Sequence, residues 1–64
     1  MYTLERVLDL VNAGDDIYCE LQKHGFYITE GWLSDLDLYP DRMIEAYRLD
    51  HDEEGDEYLV LHLA

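Results

Sequence analysis

Apolar and polar positions change their period along this chain. Leu4, Val7, Leu8 and Val11 recur at the spacing of one helical face, behind Thr3, whose hydroxyl suits an N-cap. The pattern predicts a helix over residues 4–13, closed by Gly14, with Glu5 in its first turn at the positive end of the helix dipole. Residues 15–24 read both ways. Ile17, Cys19 and Leu21 alternate as in a strand, whereas an Asp cap at 15 or 16, a cationic end at Lys23 and His24, and Gly25 before Phe26 have the form of a second helix. The helix is the preferred reading.

Residues 26–29, aromatic and β-branched between Gly25 and Gly31, read as a short strand that continues through Trp32 and Leu33 after a bulge. Pro40 interrupts residues 34–41, which read as a surface loop with apolar anchors turned inward. Residues 43–49 and 58–63 read as two strands, the second with Leu59, Leu61 and Leu63 on one side and Tyr58, Val60 and His62 on the other. A helix starting at Pro40 and using Met43, Ile44 and Tyr47 competes for the first of these runs. Adjacency to the terminal strand favours a hairpin with a longer loop around Gly55. The expected architecture is α+β: one or two N-terminal helices packed on a small three-stranded, mostly antiparallel sheet ending in a C-terminal hairpin. Residues 1–64 form one domain, with no internal repeat.

Charge changes this picture more than composition does. Sixteen acidic residues stand against four basic ones, a net charge of -12, well beyond the magnitude of about 2–8 that keeps a small domain soluble. Self-repulsion on this scale costs stability. It also excludes nucleic acid and anionic membrane as direct ligands, since both recruit Lys and Arg. A basic protein or a cation is the compatible partner. Hydrophobic residues make up 48% of the chain, with six Tyr and one Trp, too apolar for a disordered segment. Cys19 has no partner for a disulfide within the chain, and the N-terminus lacks a basic stretch followed by an apolar one. A complete small gene product of the bacterial cytoplasm is expected.

The acids concentrate in the second half: residues 1–34 hold six acids and two bases (-4), residues 35–64 ten acids and two bases (-8). Six fall within eight residues: Asp50, Asp52, Glu53, Glu54, Asp56 and Glu57. Their alternation before Gly55 matches the first half of an EF-hand loop, but position twelve, where a bidentate Glu belongs, is Leu61, so no calcium site or other metal centre is expected. The three His and one Cys lack zinc-ligand spacing, and no nucleophile motif or Gly-rich oxyanion loop is present. Neither a cofactor nor a catalytic residue is assigned, and the chain is expected not to be an enzyme.

Same-face carboxylates on a strand stand roughly 6.5–7 Å apart, comparable with successive phosphates of a nucleic-acid strand. Asp50, Asp52, Glu53, Glu54, Asp56 and Glu57, with Asp35 and Asp37 as a second patch, are the candidate partner-binding residues. In size, charge and the mixing of tyrosines with carboxylates (Tyr18 near Glu20, Tyr39 near Asp41, Tyr58 beside Glu57) the whole chain resembles the small phage-encoded inhibitors that imitate DNA, anti-CRISPR proteins in particular. The resemblance implies occupation of the basic nucleic-acid-binding site of a CRISPR effector or a similar DNA-binding complex. The alternative is an adaptor that binds a protein partner through an apolar-aromatic surface around Trp32, Leu36 and Tyr39.

Overall fold

A computed structural model describes all 64 residues. The chain runs β1 (Tyr2–Thr3), α1 (Leu4–Leu10), β2 (Tyr18–Lys23), β3 (Phe26–Trp32), a 3-10 turn (Leu33–Asp35), β4 (Met43–His51) and β5 (Glu57–Leu63). The strands form one five-stranded mixed sheet in the order β1-β4-β5-β2-β3, with β2 and β5 parallel and every other pair antiparallel. This replaces the expected three-stranded, mostly antiparallel sheet, and the fold has one short helix.

The helix begins as its sequence suggests and ends earlier. Thr3 Oγ1 accepts a bond from the Arg6 amide at 3.2 Å, and the carbonyls of Arg42 and Pro40 accept from the Leu4 and Glu5 amides at 2.8 and 3.0 Å. The first free N–H groups of α1 are thereby satisfied from the segment that leads into β4. At the other end Asn12 takes a left-handed φ of 54°, the Asn12 amide donates to the Asp9 carbonyl and the Ala13 amide to the Leu8 carbonyl. That is a Schellman closure, with Asn in the position expected for glycine. Gly14 has no part in it.

The expected second helix is strand β2. Gly25, read as a helix stop, is instead half of a two-residue hairpin turn: His24 and Gly25 have φ of 53° and 79°, and Lys23 pairs with Phe26 across them. Two positive φ values in a two-residue loop are the type I′ geometry, whose twist matches that of the flanking strands. The alternation of Ile17, Cys19 and Leu21 was therefore the governing signal. Cys19 and Leu21 lie opposite Leu59 and Leu61 of β5, placing apolar side chains together on one face.

That face is the core. Leu4 and Val7 from α1 pack on Cys19, Leu21, Ile44, Leu59, Leu61 and Leu63, with Leu33, Leu36 and Leu38 closing the layer from the 33–40 segment. Burial of each such Leu contributes about 1.5–3 kcal/mol. β5 lies between β4 and β2 and is the most enclosed strand: Leu59, Val60 and Leu61 are fully buried. Val60 points to the opposite face, flanked there by Arg48 and Glu20. No second layer covers that face, and no helix is long and apolar enough to cross a membrane.

Candidate partner-binding surface

The open face is ordered in rows that run across the strands. One row is Arg48, Val60, Glu20 and Glu30; the next toward the β4–β5 loop contains Asp50 and Tyr58, then Tyr18 and Trp32. The loop, residues 52–56, closes over the end of these rows. Together they enclose a concavity of about 660 Å³. Its walls carry five carboxylates, Glu20, Glu30, Asp52, Asp56 and Glu57, and three aromatic rings, Tyr18, Trp32 and Tyr58.

Each wall has a local cause. Tyr18 and Glu20 are the alternate positions of a strand whose other face is core, so they must point outward. Trp32 lies opposite Tyr18 and meets it edge to face, ring centroids 5.6 Å apart. Glu30 is directed by two phenols: Tyr18 donates to its Oε2 at 2.8 Å and Tyr27 to its Oε1 at 2.9 Å. The bonds to Glu30 hold the Tyr18 and Tyr27 phenols above their usual pKa. Burial, and then the charge of Asp50, do the same for Tyr58.

The loop is held by one of its own acids. Asp52 Oδ1 accepts from the amides of Glu54 and Asp56, both at 2.9 Å, while the Asp52 amide donates to the Asp56 carbonyl at 3.0 Å. Gly55, at φ 87°, completes the turn and donates to the Asp52 carbonyl. Asp52 is thus a structural residue of the loop. Asp50 Oδ1 accepts from the His51 amide, and its other oxygen stands 3.7 Å from Arg48 in the single ion pair of the molecule. That pair is exposed and contributes little. The acidic field is otherwise unneutralised.

Of the eight residues singled out from sequence, Asp52, Asp56 and Glu57 line the concavity, and Asp50 lies beside it. Glu53 and Glu54 are exposed in the loop without lining it. Asp37, at φ 54°, lines a different hollow of about 590 Å³ with Asp15 and Asp16, and Asp35 sits on the neighbouring 3-10 turn. That segment packs on the core side of the sheet, so Asp35 and Asp37 do not extend the loop patch. There Asp16 accepts from Ser34 Oγ at 2.7 Å and from the Ser34 amide at 3.1 Å, and these bonds hold its carboxyl below the usual value. The acids that do join the loop are Glu20 and Glu30. The polar half of the β2 alternation carried the signal for Glu20; nothing in sequence placed Glu30 beside it.

A row of carboxylates along one strand is absent: on the open face no strand carries two consecutive outward acids. The charges cluster laterally around a hollow instead. No group of three or more His, Cys, Asp or Glu side chains gathers closely enough to hold a metal ion. Cys19 is buried, its thiol donating to the Ile17 carbonyl, and burial with the nearby Asp16 charge pushes it up to about 11. Such a thiol is a poor nucleophile. No family model, curated protein or solved structure matches the chain.

Proposed function

We propose that the chain is a non-enzymatic acidic inhibitor, of the anti-CRISPR kind, that occupies the basic nucleic-acid-binding site of a CRISPR effector or similar complex. The supporting observation is the gathering of Glu20, Glu30, Asp56 and Glu57 around one aromatic-walled hollow on the uncovered face of the sheet. Lys and Arg side chains that ordinarily hold phosphates would enter this hollow. There they would meet carboxylates in place of phosphate oxygens, with Trp32 and the tyrosine rings offering cation–π contact. A net charge of -12 would steer the encounter and make it salt-dependent.

Capture from a bacterial lysate at low and high salt, with the bound proteins identified, tests this reading. Nucleic-acid-binding proteins, CRISPR effector subunits among them, should be retained at low salt and released at high salt. Retention of only neutral partners, or retention insensitive to salt, would refute it and favour an apolar adaptor surface.

A further inference from the structure

The two edges of the sheet are unlike. β1 offers two residues, whereas β3 offers seven and is paired on one side only. Apart from its ladder with β2, no backbone hydrogen bond leads from any residue of β3 to another segment. Natural sheets blunt such an edge with Lys, Pro, a bulge or a covering loop, and β3 carries only a bulge, confined to its Phe26 end. β3 has neither Lys nor Pro, and its one charge is Glu30. Phe26, Tyr27, Ile28 and Trp32 all stand exposed along it, Phe26 at 75%. The register of the β2–β3 pair shifts so that Ile28 is the extra residue, leaving Thr29 to Trp32 as a regular open segment.

We infer that this edge accepts an extended segment of a basic protein partner as a sixth strand. The inference rests on the proposed binding of a basic partner and specifies how part of that partner is held. Charge complementarity selects the occupant. A second copy of this chain would bring another -12 against the edge, while an alternating basic segment would place every second side chain over the open face. Glu30 and Trp32 belong both to the edge and to the acidic hollow, so a Lys or Arg on that face of the added strand reaches them directly. Main-chain bonds would supply affinity, and the hollow would supply the preference for cations.

Three blocked nine-residue peptides titrated into the isotopically labelled whole protein test this: alternating Lys and Thr, the same peptide methylated on every backbone amide, and alternating Gln and Thr. The Lys–Thr peptide should slow amide exchange within residues 26–32 and bind at least tenfold more tightly than its methylated form. Equal affinity of those two, with perturbation confined to residues 52–57, would overturn strand addition and leave the acidic-surface reading intact. Equal affinity of the Gln–Thr and Lys–Thr peptides would instead remove the basic partner and count against the acidic-surface reading as well. No binding by any peptide, or peptide-free protection of β3 that grows with protein concentration, would also overturn the inference, the latter in favour of a second copy.

Discussion

Glu20 and Glu30 face each other directly across the β2–β3 pair, on the side of the sheet that nothing covers. Opposed side chains in an antiparallel pair have Cβ atoms about 4.5–5.5 Å apart, and like charges at that distance destabilise. The nearest cation of the same row, Arg48, lies two strands away from Glu20, beyond Val60, and its contact is with Asp50. The fold therefore carries a local repulsion that a cationic ligand would relieve.

Neutralising one member of this pair should stabilise the free protein while weakening its attraction for a basic partner. Glu20→Gln keeps an oxygen for the bond that Glu20 now accepts from Gln22. It should raise unfolding free energy by about 0.2–1 kcal/mol, read from urea denaturation. A loss of stability would show that the pair is not a source of strain.

The two phenols that aim Glu30 report on its charge. Tyr18 and Tyr27 titrate above the ordinary tyrosine value because their protonated forms donate to the carboxylate. Folded-state values above the unfolded one mean that this contribution to stability is complete below about pH 10 and is lost as pH rises through the folded values. Glu30→Gln should lower both titrations toward the ordinary value, followed by phenolate absorbance and by ring carbon shifts. Unchanged midpoints would mean that Glu30 is not their acceptor.

At the acid end Asp16 behaves in the opposite sense. Its carboxyl is lowered chiefly by the Ser34 hydroxyl bond, so its contribution is present above the ordinary Asp value and disappears as pH falls through the lowered one. Ser34→Ala should raise the Asp16 midpoint, measured by carboxyl carbon shifts. It should also lower the melting temperature at neutral pH and make its acid loss shallower, because the difference in protons bound at Asp16 by the unfolded and folded chains shrinks. Identical acid limbs in the two proteins would contradict the assignment.

The helix stop gives a backbone test. Asn12→Gly should be neutral or mildly stabilising, since glycine adopts a positive φ without a side-chain penalty. Asn12→Val should cost about 1–2 kcal/mol, as a β-branched residue in the left-handed region. Thermal unfolding of the pair decides it, and equal melting temperatures would argue against the Schellman closure.

The local parts of the fold were readable where one physical requirement acted alone. Thr3 as a cap, the outward–inward alternation of Leu59, Leu61 and Leu63, and the hairpin of β4 with β5 follow from neighbouring residues. The Lys23–Phe26 turn is ambiguous in sequence, because glycine after a cationic residue serves a helix end and a type I′ turn equally well. The parallel pairing of β2 with β5 joins residues about forty positions apart, and no local pattern encodes that register. It also determines the site. Without it Glu20 and Glu30 are a facing pair remote from the loop; with it they share a wall with Asp56 and Glu57. The dense acidic run suggested where charge is concentrated, but Asp52 is engaged with the loop backbone.

The central claim, that the carboxylates of the hollow take the place of nucleic acid on a basic partner, is tested most directly by displacement. Labelled nucleic acid bound to the captured partner should be released by the native chain, and released progressively less as salt rises. A folded Glu20→Lys/Glu30→Lys/Glu57→Lys variant should lose at least a hundredfold in displacing potency. Equal potency of the native and charge-reversed proteins, or binding to the partner without any release of nucleic acid, would contradict the account.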